Sequence, residues 1–302
     1  MAELIVGVPH RGPSVVTLPF DLAATSSILR DGGVRLRVVE GSYGELSAWL
    51  SSGRIHLCRR GPDVDVVAAA GGAPVACCAT VMQAVPAQVV AQDGIAAPSE
   101  LEGRRIAVID PTMGSTLALR TWLADAGVDV GRVAFTVLGG TRDRLAAVAS
   151  GAVAATVVTA PGAFDLPAGV RSIADLDEAL GPFLFSAVQV HRPTAVERRG
   201  DIEVFLAAVM EAIERITGDG EIATKVADVL RVDAPVARAV LDRARRMNWY
   251  ARKMVFDHAA TNAMVAALKR FAYVPLELNQ EDWVWDDARI AAVNASTWTV
   301  QS

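Results

Sequence analysis

Leu101-Glu102-Gly103-Arg104-Arg105-Ile106-Ala107-Val108, followed by Thr112-Met113-Gly114-Ser115-Thr116 and then by Leu119, Leu123, Ala126 and Gly127, sets the reading of the whole chain. The apolar run Ile106 to Ile109 predicts a buried strand, and the small and polar residues after it predict a loop. Apolar residues at three-to-four spacing then predict a helix over Thr116 to Ala126. A strand, a short loop and a helix make one β-α unit.

The same alternation extends in both directions. Short Val/Ile-rich runs predict strands at Leu4 to Val8, Arg35 to Val39, Ile55 to Cys58, Ala134 to Leu138 and Ala155 to Val158. Amphipathic runs predict helices at Val15 to Asp31, Tyr43 to Ser52 and Arg142 to Ser150. Such alternation belongs to α/β architectures built on mainly parallel sheets. Ser52-Gly53-Arg54-Ile55 recurs as Ser150-Gly151-Ala152-Val153, each after a helical run and before an apolar strand, which predicts two lobes built alike. In each copy the glycine suits the left-handed position that ends a helix. From Asp201 onward the pattern is helical, over Ile202 to Thr217, Glu221 to Leu230, Ala234 to Met247 and Asp257 to Phe271.

At 302 residues the chain suits two α/β lobes better than one core. A formal charge of −5 and the lack of a Lys/Arg tract speak against nucleic acid, because phosphate neutralisation needs a basic face. The apolar stretches Val64 to Pro86 and Leu145 to Phe164 are broken by Gly and Pro residues, so buried elements are expected there and no transmembrane segment. No basic start, long apolar run or cleavage site precedes the first strand. The sequence as it stands therefore predicts a cytoplasmic protein, or a periplasmic or extracellular one if an export signal has been removed. Cys58, Cys77 and Cys78 are an odd set, two of them adjacent, and read as free thiols. Four scattered histidines lack metal-ligand spacing, and nucleotide or flavin fingerprints are missing, so neither metal nor cofactor is expected.

The opening run, continued by Leu138-Gly139-Gly140 and by Leu145 through Ser150-Gly151 to Val158 and Pro161, resembles the NMT1/SsuA-like branch of solute-binding proteins. That group takes aliphatic sulfonates, taurine, nitrate and thiamine precursors. Gly32-Gly33 before Val34 to Val39, and the helix ending at Gly53, resemble the matching part of the first lobe. The resemblance implies a two-lobed type 2 periplasmic-binding-protein fold with a helical C-terminal cap. Residues 1–86 and 187–302 would form one lobe and residues 87–186 the other, with crossovers near Val85 to Val89 and Ser186 to Val190. In the family the strand after each Ser-Gly usually carries an acid; here those positions hold His56 and Ala154, which bears on the ligand.

Candidate site residues fall where strands give way to helices. A helix start offers free N–H groups and the positive end of the dipole, so Thr112, Gly114, Ser115 and Thr116 form a candidate anion cradle, with Ser42 and Tyr43, and Ser14, in comparable places. The plainer alternative is that these hydroxyls only cap their own helices. Thr159 ends a strand, and His10 and Arg11 follow the first one. Arg59 and Arg60 could grip a carboxylate or sulfonate, or be solvated.

Two functions follow. The preferred one is binding of a small anionic organic molecule between the lobes, for delivery to an ABC permease. The other is a cytoplasmic enzyme on the same fold, in which His56 and Cys58 cleave a carboxylate or sulfinate as a decarboxylase or desulfinase does.

Overall fold

The structure, a computed structural model, describes residues 2–9, 12, 14–218, 222–287, 289 and 291–292. Its strands are β1 (Ala2–Pro9), β2 (Val34–Gly41), β3 (Leu57–Arg60), β4 (Val75–Met82), β5 (Ala87–Gln92), β6 (Arg105–Val108), β7 (Ala134–Val137), β8 (Ala155–Thr159), β9 (Val170–Asp175) and β10 (Ser186–His191). They form two five-stranded sheets, ordered β2-β1-β3-β10-β4 and β7-β6-β8-β5-β9. In the first, β1 runs parallel to β2 and β3, while β10 is antiparallel to β3 and β4. In the second, β6 runs parallel to β7 and β8, while β5 is antiparallel to β8 and β9.

The two sheets thus repeat one plan: three parallel strands from one stretch of chain, then an antiparallel strand entering straight from the other sheet. The chain passes between sheets twice, between Met82 and Ala87 and between Asp175 and Ser186. The second passage precedes Ser186 to Val190, because Ser186–His191 is wholly a strand of the first sheet. The Ser-Gly repeat marks equivalent corners, with Gly53 at φ +72 and Gly151 at φ +80, the region a glycine enters without a Cβ clash.

The helices are α1 (Leu18–Ala23), α2 (Ser27–Asp31), α3 (Tyr43–Ser51), α4 (Asp63–Ala70), α5 (Gly114–Asp125), α6 (Thr141–Ala149), α7 (Leu176–Ala179), α8 (Arg192–Glu197), α9 (Arg199–Thr217), α10 (Ala223–Leu230), α11 (Ala234–Arg246) and α12 (His258–Arg270). The single helix expected over Val15 to Asp31 is two, because the Ser26 hydroxyl accepts the Ile28 N–H (3.1 Å) and starts a new one. The stretch Val64 to Pro86 resolves into α4 and a fully buried β4, and Leu145 to Phe164 into the end of α6 and β8. No helix among the described residues is long and apolar enough to cross a membrane.

Packing fixes how the C-terminal helices sit. Phe205 of α9 stacks on Phe20 of α1 with ring centres 6.3 Å apart. Arg243 of α11 holds both carboxylate oxygens of buried Asp177, at 2.9 and 2.7 Å, and the Trp249 indole N–H donates to the same group at 2.8 Å. This clasps the second passage between sheets. Arg270 of α12 meets Asp125 of α5 at 2.6 Å, and Arg120 of α5 donates to the Tyr273 hydroxyl beside the rings of Phe135, Phe271 and Tyr273. The C-terminal segment therefore touches both sheets' helices.

Candidate functional site

A cavity opens between the two sheets where the loops after β1, β3 and β6 converge. The first sheet contributes Pro9, Ser14, Val16, Thr17, Tyr43, Arg59, Arg60 and Gly61; the second contributes Met113, Gly114 and Ser115 from the start of α5; Phe185 comes from the second passage. The gap measures about 450 Å³ with its mouth included. The walls meet directly, for the Val15 N–H donates to the Ala160 carbonyl across the gap at 3.3 Å.

The two arginines at the end of β3 are used differently. Arg60 is 1% exposed and donates through Nε and Nη2 to the carboxylate of Asp65 at 2.9 and 2.6 Å, and through Nη1 to the Tyr43 carbonyl at 2.8 Å. Burial is the largest single influence and disfavours its charge, but the Asp65 charge and hydrogen bonds, with Cys58 and Tyr43, together outweigh it and the pKa is raised. Its donors are committed to the fold. Arg59 points to the opposite face: its guanidinium lies 5.2 Å from the Phe20 ring centre and 3.8 Å from the Asp21 carboxylate, a long ion pair. Arg59 is the second cation lining the cavity, on the face of β3 opposite Arg60.

At the facing wall, Ser115 stands in the first turn of α5 and is nearly buried. Ser14, also buried, accepts the Val16 N–H at 3.1 Å. Asp63, 2% exposed at the start of α4, brings its carboxylate against both loops: a methyl on Gly114 would stand 3.0 Å from Oδ1, and one on Gly61 2.3 Å. These two positions need glycine because of that close approach.

Several expected residues lie elsewhere. Ser42 is exposed and caps α3 in a reciprocal pair with Glu45. Thr112 hydrogen-bonds Asp110 at 2.6 Å in an exposed loop, and the Thr116 hydroxyl, buried, donates to the Asp110 carbonyl at 2.7 Å. Thr159 ends β8 opposite Ala87 and does not line the cavity. His10 and Arg11 lie outside the described residues. Pro9, Val16, Thr17, Gly61, Met113 and Phe185 line the cavity without having been singled out. The signal for Gly61, Val16 and Met113 was adjacency to Arg60, Ser14 and Gly114; Phe185 gave none.

Neither His56 nor Cys58 lines the cavity. Cys58 is fully buried among Leu46, Leu50, Ile55 and Val75, and burial pushes its thiol up to about 12 despite Arg60 nearby. No thiolate forms there near neutral pH. His56 lies just before β3, away from the cavity, with Nδ1 accepting the Ile5 N–H at 3.2 Å and facing Arg198 at 3.1 Å. Burial first, then Arg198, lowers its pKa.

Two mixed α/β sheets exchanging one strand each, with a cleft between them, define the type 2 periplasmic-binding-protein fold. The chain belongs to the NMT1/THI5 like family, which matches residues 19–216. Among solved structures, the alkanesulfonate-binding protein SsuA from Xanthomonas axonopodis pv. citri, bound to MOPS, is similar at TM-score 0.75 and 19% identity over 95% of this chain and 99% of that one. The periplasmic nitrate-binding protein NrtA from Synechocystis PCC 6803 is similar at TM-score 0.78 and 13% identity, over 98% and 89%. The desulfurization enzyme DSZB is similar at TM-score 0.68 and 17% identity, over 98% and 100%. No curated protein sequence matches the chain significantly.

Proposed function

We propose that the protein binds a small anionic organic molecule in the cleft, with Arg59 and the start of α5 holding its charged head. The observation that carries this is one cavity holding a guanidinium on one wall, and on the other a helix start with Ser115 beside it. A guanidinium and a helix start suit a sulfonate or carboxylate head, and the similar Xanthomonas protein is bound to MOPS, a sulfonate. Residues 1–86 with 187–302 act as one lobe and 87–186 as the other, hinging at the two passages to admit the ligand. Delivery to an ABC permease follows the pattern of the sulfonate- and nitrate-binding relatives, and with it the periplasmic alternative replaces the cytoplasmic one. A cleavage role loses support, because Cys58 is inaccessible and His56 stands off the cleft.

Titration calorimetry with methanesulfonate and acetate tests the proposal. Arg59→Ala should weaken binding by about 1.5–3 kcal/mol, the scale of a hydrogen bond to a charged group. An Arg59→Ala protein that binds both anions like the parent, or a parent that binds neither of these nor longer sulfonates and carboxylates, defeats it.

A further inference from the structure

Tyr250, 1% exposed, joins the passages between the sheets to the loop that carries Ser14. Its backbone makes an antiparallel bridge to Met82, where the first passage begins, and the Trp249 carbonyl accepts the Gln83 N–H at 2.9 Å. The Gln83 carbonyl accepts the Phe183 N–H from the second passage at 2.8 Å. From this corner the Tyr250 hydroxyl donates to the Val15 carbonyl at 2.7 Å. Burial pushes the phenol up, so the hydroxyl keeps its proton and stays a donor. The Val15 N–H crosses the gap to the Ala160 carbonyl at 3.3 Å, and the Ala160 N–H returns to the Pro86 carbonyl of the first passage at 3.0 Å. Hydrogen bonds thus form a closed ring, from the first passage through Tyr250 to Val15, across the gap to Ala160, and back to the same passage.

The ring meets the cavity at the peptide between Val15 and Val16. Its carbonyl accepts from Tyr250, and its N–H, that of Val16, donates to the Ser14 hydroxyl oxygen at 3.1 Å. Ser14 and Val16 line the cavity, whereas Val15 turns a fully buried side chain to the core. A peptide unit is rigid and planar, so holding its carbonyl also aims the N–H on the other side. A hydroxyl oxygen placed by that N–H can still donate its own proton, and an anion in the cavity accepts it. We infer that Tyr250 is a positioning residue for the cleft: its hydroxyl sets the plane of the Val15–Val16 peptide, and with it the Ser14 hydroxyl and the Val15–Ala160 contact that joins the two walls. Tyr250 does not itself line the cavity. The inference rests on the proposed anion cleft for the effect on a ligand, and on the hydrogen bonds alone for the effect on the peptide.

Tyr250→Phe removes one oxygen and keeps the ring, and two measurements on the full chain read the result. Without ligand, amide hydrogen exchange is followed by NMR at Val15 and Val16 and at Cys77, whose buried N–H donates to the Trp283 carbonyl at 2.7 Å and reports opening of the core. Relative to Cys77, Val15 and Val16 should exchange about three- to tenfold faster than in the parent, the scale of one net hydrogen bond. A hydroxyl that served only stability would speed Cys77 at least as much. With methanesulfonate as the probe, titration calorimetry should show affinity lowered by a similar factor. Ser14→Ala should then cost less affinity in Tyr250→Phe than in the parent, because both changes act on the same oxygen. A parent that binds neither methanesulfonate nor longer sulfonates defeats the cleft reading, while the exchange ratio still decides whether Tyr250 holds the peptide. An unchanged exchange ratio, unchanged affinity in a protein that binds the probe, or a Tyr250→Phe chain that circular dichroism shows to be unfolded assigns the hydroxyl to stability alone and overturns the inference.

Discussion

Replacing Arg60 should damage the fold and not the ligand contact, although it lines the cleft beside Arg59. Arg60→Ala removes two bonds to the Asp65 carboxylate and one to the Tyr43 carbonyl. It leaves Asp65, 1% exposed, as a buried charge without its counter-ion. Breaking a buried pair from one side costs about 3–5 kcal/mol, because the survivor keeps its desolvation penalty and loses the attraction that offset it. Replacing both partners by apolar residues of similar volume, Arg60→Met with Asp65→Leu, removes both charges together and should return most of that loss. Urea unfolding followed by circular dichroism compares the three proteins, with midpoints read at constant slope. The reasoning fails if Arg60→Ala unfolds within 1 kcal/mol of the parent, or if the double variant is as unstable as the single one.

Cys58, Cys77 and Cys78 are all buried with thiols pushed up, so none should react with a disulfide reagent in the native protein and all three should react in guanidinium; rapid native labelling of Cys58 would reopen the enzyme reading. His56 is held below its ordinary value, chiefly by burial, so the unfolded chain binds a proton more readily than the folded one. Its contribution is therefore complete above about pH 6.5 and is lost as pH falls below that. NMR titration should show a His56 midpoint under 6.5, and His56→Gln should flatten the acid-side loss; a midpoint above 6.5 contradicts this. Gly114→Ala would put a methyl 3.0 Å from the Asp63 carboxylate at the contact between lobes. It should lower ligand affinity severalfold with little change in the urea midpoint, and unchanged affinity would show that the lobes do not meet there when ligand is bound.

The β-α alternation and the Ser-Gly repeat were enough to read the two-lobed plan, because both come from local periodicity and from a backbone position that needs glycine. β4 was not singled out, since all eight of its residues are buried and it shows no alternation. Ser42, Thr112, Ser115 and Thr116 look alike in sequence: each is a small hydroxyl residue near a helix start. Only Ser115 lines the cleft, because Ser42 and Thr112 are turned to Glu45 and Asp110, and Thr116 to the backbone behind it. The strand expected over Ile55 to Cys58 begins at Leu57, because the Ile55 N–H closes back on the Trp49 carbonyl at 3.2 Å. His56 is thereby left at the entry of the strand, away from the end where the loops converge.

The division between Arg59 and Arg60 follows from the pleat of β3, which sends successive side chains to opposite faces. Arg60 shares the face of Cys58 and reaches forward five residues to Asp65 in the first turn of α4, while Arg59 goes to the face of Phe20. The buried pair therefore spans the turn that contains Gly61 and Asp63 and holds the end of β3 to the start of α4. That turn forms part of the cleft wall through Gly61. On the proposed binding role, Arg60 would act on a ligand only through the shape of the turn. A variant that keeps the turn closed without the guanidinium, Arg60→Met with Asp65→Leu, should bind methanesulfonate within about threefold of the parent, since less than 1 kcal/mol of direct contact is removed. A loss as large as that of Arg59→Ala would mean that Arg60 touches the anion itself.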